Sequence, residues 1–519
     1  MTEALASLRQ AYLREARDPA SRVTALSVPP EVEFTDTGNA QRLARLYGWR
    51  LRYVPEWGWL AYSGGRWVRQ ADGHAMQCAK ACVREMLQEA ATCAEGRRQM
   101  DLLDHARRSL SEPRLQAMLR LARSEPGIAA QLHDFDADPY LLNVLNGTLD
   151  LHTGELRDHQ PADLLTKMAH VTFDPQGTAP RWDQFLGEVF RSDQDLIAYV
   201  QRALGYTLTG DTSEQVFFTC FGSGANGKST LLGVMMRILG DYAKPLKADA
   251  LMSNPYGNGS SANPEIAALV GARFVTAQEP KGGELDTPKV KELTGGDPMQ
   301  VRELHKMPFT LVPLFKLWMS TNERPTVRET TTGIWRRIRL IPFTVSFEGR
   351  REEGLSEKLA SEASGILNWL LAGCLAWQRD GLGDATAVKD ATREYREEED
   401  EYLAFFEDVL VPDEDGRVEQ KVAYEAFLQW QRANGVPYLS DKEFPKRAEA
   451  RNYRKQRANG KRWLRGCHLV RSADSAASEP DSSKSSIRVN QESFSESGPT
   501  SALPTLPSIA DLSDELPNF

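Results

Sequence analysis

Between Cys220 and Met236 the chain reads CFGSGANGKSTLLGVMM, in which Gly222, Gly227, Lys228 and Ser229 fit the spacing G-x-x-x-x-G-K-[ST]. Residues of these types at this spacing can hold a triphosphate. Glycines let successive backbone N–H groups turn inward on phosphate oxygens, the N-terminus of a following helix adds its dipole, the lysine supplies a cation and the serine a hydroxyl ligand for Mg2+. The run Gly222, Ser223, Gly224, Ala225, Asn226, Gly227, Lys228, Ser229 and Thr230 is therefore the expected ATP contact set. Its flanks agree, with the apolar strand QVFFTCF before it and the helical TLLGVMMRIL after it.

Hydrolysis needs a carboxylate near the terminal phosphate. In GARFVTAQEP a short apolar run ends in Gln278 and Glu279, and α/β sheets place their ligands at such C-terminal strand ends. Glu279 is expected to orient the attacking water and, with Ser229, to hold Mg2+; without the glycine loop it would read as a solvent-facing edge residue. KLWMSTNERP ends a third apolar run at Asn322, whose amide can contact the γ-phosphate or the water; the competing reading is a residue that opens the turn before Pro325. GIWRRIRLIPF sets Arg336 and Arg337 beside Trp335. A guanidinium offered to a neighbouring subunit's site stabilises phosphoryl transfer and requires a ring, whereas basic residues beside a strand are more ordinarily just solvated.

These side chains need elements to hold them, and a chain of 519 residues, 41% of them hydrophobic, is long enough for several cores. No apolar run reaches the roughly 18–20 residues of a membrane span, and the start MTEALASLRQAYLREARDP lacks a signal peptide's apolar segment, so a soluble cytoplasmic protein without a membrane partner is expected. Six cysteines in this length do not form a disulfide framework. His74, Cys78 and Cys82, with Cys93 beyond, have helical metal-ligand spacing, but HAMQCAKACVREMLQEAATC reads better as an amphipathic helix burying its cysteines. The acids of FDAD at Phe135–Asp138 could hold metal ions on a strand, yet Pro139 follows at once and a turn explains them.

The net charge of −9 is unevenly placed: residues 472–519 hold eight acids against two bases, a net of −6, in a Ser- and Pro-rich tail expected to be disordered. The body is close to neutral. From Lys442 to Arg471, by contrast, eleven basic residues face two acids, with Tyr453 and Trp463 among them. A helix through KEFPKRAEARN and a hairpin about Asn459-Gly460 would present Arg447, Arg451, Arg454, Lys455, Lys461 and Arg462 to nucleic-acid phosphates; a solvated charged face is the competing reading.

The expected organisation is a leader over 1–35, an α+β region over 36–180, a helical connector over 181–208, the nucleotide domain over 209–390, a basic module over 391–471 and the tail over 472–519. Within the second of these, Leu51–Gly73 alternates aromatic and polar residues about Ser-Gly-Gly as a β-hairpin does, helical patterns run from His74 to Leu132, and Asn-Gly and Thr-Gly turns after Tyr140 mark further hairpins.

The order of these motifs, together with VKELTGGDPMQVRELHKMPFTLVP between the second and third, resembles the superfamily 3 helicase domain of phage and plasmid primase-helicases, relatives of the poxvirus primase-helicase. Upstream, LLNVLNGTLDLHTGEL and GYTLTG are similar to that family's N-terminal region, and residues 423–470 resemble its C-terminal winged helix. The resemblance spans about Thr35 to Val470. It implies an α/β fold with an AAA+-type P-loop ATPase core, an α+β N-terminal region and a C-terminal winged-helix module, assembled as a homo-hexameric ring that moves 3′ to 5′ on single-stranded or forked DNA with ATP and Mg2+. By position, Lys228, Ser229, Glu279, Asn322 and one of Arg336 and Arg337 take the phosphate, Mg2+, hydrolytic, sensor and finger roles. His305 and Lys306 fall at the tip of the DNA-tracking hairpin that the family carries between Lys291 and Pro313.

Two departures matter. Gln278 stands where many ring ATPases have a second acid, and only about 200 residues precede the loop, with no primase metal site among them. The expectation is thus a replicative helicase of a phage, prophage or plasmid in a bacterial cytoplasm, without primase activity and working with a separate primase, polymerase or other replication protein. The alternative is an origin-binding or scaffolding protein using ATP only as a conformational switch; a small-molecule kinase is disfavoured by the arginine pair and the basic module. The last residues, IADLSDELPNF, resemble the acidic tip of bacterial single-stranded-DNA-binding proteins, although a frayed end explains them as well.

Overall fold

The computed structural model describes residues 33–69, 73–253, 264–278, 283–303, 308–329, 332–350, 352–400, 402–449, 451, 453–458 and 460–470. Glu279, His305, Lys306, the leader up to residue 32 and the tail beyond 470 lie outside them. The chain divides into two compact units, Met1–Leu403 and Ala404–Phe519.

In the first unit, β1 (Leu51–Val54), β2 (Gly58–Ser63) and β3 (Arg66–Arg69) form an antiparallel meander, one strand more than the expected hairpin. The helices Asp36–Tyr47, Gly73–Thr92, Gly96–Ser109 and Glu112–Ala122 share a core with it. Cys78 and Cys82 are buried in that core as free thiols, with burial pushing the Cys82 thiol up to about 12, and His74 Nε2 lies 3.2 Å from Arg50 Nη2. The cluster is packing. A second antiparallel sheet follows, β4 (Leu141–Val144), β5 (Gly147–Asp150) and β6 (Leu156–Arg157). The acids just before it are structural: Asp138 accepts from Tyr140 N at 2.9 Å within a turn, and Asp136 ties in a distant segment by accepting from Thr166 N at 2.8 Å.

The centre of the unit is a five-stranded parallel sheet built from β7 (Phe217–Phe221), β8 (Ala243–Lys247), β9 (Phe274–Gln278), β12 (Lys316–Thr321) and β13 (Ile338–Pro342). Its order is β13-β7-β12-β9-β8. Strands buried on both faces are rich in apolar residues, as in FFTCF and the Leu317–Met319 centre of KLWMST, and the polar residues they do bury, such as Lys316, need partners. A separate hairpin, β10 (Met299–Val301) with β11 (Phe309–Leu311), pairs Val301 with Phe309 and leaves His305 and Lys306 in the connection between them.

The expected connector forms two helices, Pro180–Val189 and Gln194–Leu208, which share the largest core with the helices Lys228–Leu239 and Ala363–Asp380. Two buried cations tie the second of them to the sheet. Arg273 donates to Leu208 O at 2.6 Å and Leu141 O at 2.7 Å, and Lys316 donates to Asp211 O at 2.9 Å while lying 4.4 Å from the Tyr206 ring centroid. Both sit at the helix C-terminus, where carbonyls lack intrahelical partners and the dipole favours positive charge.

Gln194–Leu208 meets Ala363–Asp380 at glycines. A Cβ on Gly205 would lie 2.2 Å from Cys374 N, and one on Gly373 would lie 2.1 Å from Gln201 O. The obstructing atoms are backbone, so the helices must separate to admit a methyl. Gly205→Ala or Gly373→Ala is expected to cost about 1–3 kcal/mol, read as a lowered thermal midpoint; an unchanged midpoint would mean that the helices can move apart freely.

The helix Thr386–Glu398 belongs to this unit: Ala391 and Tyr395 join the core of the sheet, and Leu340 N of β13 donates to Thr392 Oγ1 at 3.1 Å. The expected boundary at 391 therefore moves to 404, because the acidic, exposed face of that helix hides an apolar face that covers β13. No single helix among the described residues is long and apolar enough to cross a membrane.

In the second unit, β14 (Leu410–Glu419), β15 (Arg454–Ala458) and β16 (Lys461–Leu469) form an antiparallel sheet in the order β14-β16-β15, with the helices Gln420–Asn434 and Phe444–Glu449 between β14 and β15. Phe405, Phe406, Phe427 and Phe444 make an aromatic core, with ring centroids 5.1–6.0 Å apart in the contacting pairs that Phe405 makes with Phe427 and Phe444.

Candidate nucleotide site

Sheet order decides which loops meet. β12 pairs in parallel with β7 so that Thr321 stands beside Phe221, and the residues that leave the two strands, Asn322 and Gly222, become neighbours at the C-terminal edge. β9 flanks β12 on the other side and ends at Gln278, opposite Ser320. Glu279 follows in sequence, outside the described residues.

The loop after β7 is shaped by residues of positive φ, namely Gly224 at 99°, Ala225 at 44° and Gly227 at 91°. Such a turn aims successive N–H groups to one side and makes an anion-binding concavity. Close packing also demands the glycines: a Cβ on Gly222 would lie 2.3 Å from Phe343 O, and one on Gly227 would lie 2.7 Å from Val189 Cγ2. The connector helix Pro180–Val189 thus forms the floor of the loop. The stretch beyond β13 straps it from the side, as Phe347 N donates to Ala225 O at 2.7 Å and Asn226 Nδ2 to Phe343 O at 3.3 Å.

Lys228 opens the helix Lys228–Leu239 and is 4% exposed. Its ammonium donates to Gly222 O at 2.6 Å, Asn322 Oδ1 at 3.0 Å and Asn226 Oδ1 at 3.1 Å. The cation is thereby held at the mouth of the loop by acceptors from two strands. Ser229 is exposed and Thr230 half-buried in the first helical turn, where N–H groups have no intrahelical partner. Ser223 and Ala225 are exposed on the loop. A buried ammonium, a turn of positive φ and a helix N-terminus would suit a Mg2+-bound triphosphate, to which the Ser229 hydroxyl would be offered as a metal ligand.

The structure joins Asn322 to Lys228 but keeps the two arginines far from both. Ile338, which begins β13, pairs with Phe217, which begins β7, so Arg336 and Arg337 precede the N-terminal edge of the sheet. At roughly 3.3 Å per residue, a five-residue strand separates them from the loop by about 15 Å. They also differ from each other. Arg337 is buried and structural, with Nη1 donating to Gly333 O at 2.9 Å and Nε to Thr294 Oγ1 at 3.3 Å; burial, and then Arg336, pull its pKa down. Arg336 is exposed, donates to Gln215 Oε1 at 2.8 Å and borders a cleft with Arg339 and Arg396.

In the C-terminal unit the six basic residues expected to contact nucleic acid fall into different environments. Arg451 is half-buried with its guanidinium 4.1 Å from the Phe406 centroid, and Arg447 is half-buried on the short helix. Lys461 pairs with Glu419 at 2.7 Å and Lys455 with Glu449 at 2.5 Å. Arg454 and Arg462 are exposed, and the register sets them against cations that spacing alone did not single out: Arg454 opposite Arg465 and Arg457 opposite Arg462.

Sequence comparison adds the family context. Residues 40–191 match the family described as D5 N terminal like. Residues 220–337, which contain the loop, Asn322 and both arginines, match a family of unknown function, DUF5906. "Putative helicase L207/L206" of Acanthamoeba polyphaga mimivirus is 32% identical over 328 residues, covering 58% of this chain and 34% of that protein. "Putative helicase 022R" of Frog virus 3 is 25% identical over 383 residues, covering 58% and 39%, and "Putative primase C962R" of African swine fever virus is 23% identical over 223 residues, covering 42% and 23%. The chain thus spans between 23% and 39% of the lengths of these relatives. Among solved structures, the apo A form of the NrS-1 C-terminal region aligns with a TM-score of 0.46 at 10% identity, covering 80% of this chain and 96% of that one. The N-terminal region is thus similar to the D5 N terminal like family, and the relatives named here carry helicase and primase names.

Proposed function

We propose that the chain is an ATP-dependent replicative DNA helicase of superfamily 3, from a phage, prophage or plasmid, working as a hexameric ring on single-stranded or forked DNA. One observation carries the reading: the buried Lys228 ammonium and Asn322 converge at the C-terminal edge of a parallel sheet of order β13-β7-β12-β9-β8. The helicase and primase names of its relatives point the same way.

In this reading the 222–229 loop is a P-loop. Its N–H groups and Lys228 bind the β- and γ-phosphates, and Ser229 with Glu279 holds Mg2+, which neutralises charge on the phosphates. Glu279 orients the water. Asn322 exchanges its bond with Lys228 for one to the γ-phosphate, so that β12 registers whether ATP or ADP is bound. Arg336 serves a neighbour's site, since its own loop lies beyond the opposite edge of its sheet. The β10–β11 connection with His305 and Lys306 contacts the translocating strand.

The C-terminal unit is read as a winged helix, with β15 and β16 as the wing. Opposed arginines repel one another across a hairpin, and a polyanion relieves that repulsion. Replacing Arg454, Arg457, Arg462 and Arg465 with alanine is expected to flatten the slope of log affinity against log salt for single-stranded DNA by about 3, at roughly 0.7 per lost phosphate contact. Lys461→Ala is expected to change it less because Glu419 already neutralises that charge. An unchanged slope in the fourfold variant would remove the wing from the DNA interface.

The decisive experiment measures ATP hydrolysis with and without single-stranded DNA, alongside strand displacement on a fork. DNA-stimulated hydrolysis with displacement is expected. Binding of ATP with neither activity would instead favour the switch protein, the reading to which Gln278 at the end of β9 lends weight.

A further inference from the structure

Away from the 222–229 loop, a cavity of about 670 Å3 opens between the β1–β3 meander, the segment 166–167 and the β8 edge of the central sheet. Four cations line it, Arg66, Arg69, Lys167 and Lys244, against two carboxylates, Asp241 and Glu303. The carboxylates are engaged by the arginines: Arg66 pairs with Asp241, and Arg69 lies 3.7 Å from Glu303. Lys167 and Lys244 have no hydrogen-bond or ion-pair partner among the described residues.

Lys167 is presented by a rigid segment. Leu165 O accepts from Trp67 N at 2.8 Å, Thr166 N donates to Asp136 Oδ1 at 2.8 Å, Lys167 O accepts from Asn143 Nδ2 at 3.1 Å and Met168 N donates to Asp241 Oδ2 at 3.2 Å. Its aliphatic stem lies on a bare backbone, because a Cβ on Gly271 would fall 2.6 Å from Lys167 Cε. Burial lowers its pKa; Asp136 offsets part of that, while Lys244, Arg69 and Arg66 add to it. Four cations against two lining carboxylates leave the cavity with an excess of positive charge, which an entering anion offsets.

Beside them is an aromatic surface. Trp57 lines the cavity, and the Arg69 guanidinium lies 5.2 Å from its ring centroid. Lysines for a phosphate next to an indole and a stacked guanidinium are the combination that holds a nucleotide, the base on the planar groups and the phosphate on the ammonium groups. The volume is in the range of small-ligand sites, about 300–1,000 Å3.

We propose that this cavity is a second nucleotide site, with Lys167 and Lys244 as phosphate ligands and the Trp57–Arg69 pair supporting the base. The nucleotide is either free or one unit of a nucleic-acid strand, since both offer a phosphate and a base. The site is separate from the loop after β7 and does not depend on the helicase reading.

Photocrosslinking of the full-length Lys228→Ala protein tests it, since this background weakens phosphate binding at the loop. One arm uses 8-azido-ADP and the other an oligothymidylate bearing 5-iodouracil, each followed by mapping of the tryptic peptide 53–66, which contains Trp57. One of the two probes is expected to label that peptide, and adding Lys167→Ala and Lys244→Ala is expected to cut the yield by about tenfold or more, as two charge-assisted contacts are lost. Lys167→Arg should retain labelling. Should the combined variant lose its melting transition, Lys244→Ala alone, on the edge strand, is expected to lower the yield about threefold or more. Absence of label from both probes, or a yield unchanged by removal of the lysines, overturns the proposal. A protein that labels peptide 53–66 but hydrolyses no ATP in the wild-type form leaves this site standing and removes the helicase reading.

Discussion

Lys228→Ala is expected to lower ATP turnover by about 100-fold or more, the loss seen when a preorganised donor to a developing phosphate charge is removed. The fold should survive. Of the three acceptors that the ammonium holds, Asn322 is exposed and water can replace the lost bond, while Gly222 O and Asn226 Oδ1 lie at the mouth of a loop that is also held by Val189 beneath and Phe347 at its side. The measurement is steady-state hydrolysis with single-stranded DNA present, paired with a thermal melt. A loss of turnover with a nearly unchanged midpoint supports the site; wild-type turnover would remove Lys228 from the chemistry and the P-loop reading with it.

Arg336→Ala and Arg337→Ala should fail in different ways. Arg336 is exposed, beyond the sheet edge opposite its own loop, so its loss is expected to leave nucleotide binding and stability intact and to cut hydrolysis by about 10³-fold, the lower end for an arginine acting in trans. Arg337 is buried with bonds to Thr294 and Gly333, so its loss should cost roughly 1.5–3 kcal/mol of stability. Mixing provides the sharper check. Lys228→Ala subunits retain Arg336, and Arg336→Ala subunits retain Lys228, so in the proposed ring a mixture would form some complete shared sites and should recover hydrolysis that neither variant has alone. No recovery on mixing would mean that the site is not shared between subunits.

Local patterns were legible where local physics sets the structure. FFTCF, FVTAQ and KLWMST read as buried strands because a strand covered on both faces tolerates few polar groups, and the loop after the first was legible because φ above zero and a close backbone approach demand glycine at 222 and 227. The cysteine-bearing helix followed from its 3.6-residue periodicity, and the 454–469 hairpin from the Asn459-Gly460 turn signal. Less legible were groups whose partners lie far along the chain. Lys316 and Arg273 gave no sign in their own segments that they would cap the helix Gln194–Leu208, and the acidic REYREEED stretch read as the start of the next module although Tyr395 buries its ring against Trp335, with centroids 5.2 Å apart.

The sequence by itself determined the glycine loop on which the proposed nucleotide chemistry rests, since such a loop is made from consecutive residues and its constraints are steric and local. It also located Asn322 and the arginine pair as polar residues at strand ends. Only the tertiary structure decided which of them share a site. The order β13-β7-β12-β9-β8 sets Asn322 beside Lys228 across two parallel strands, and strand direction sends Arg336 and Arg337 to the other edge, one exposed and one buried. Strand order and burial depend on how distant segments cover each other's apolar faces, and no single segment carries that information.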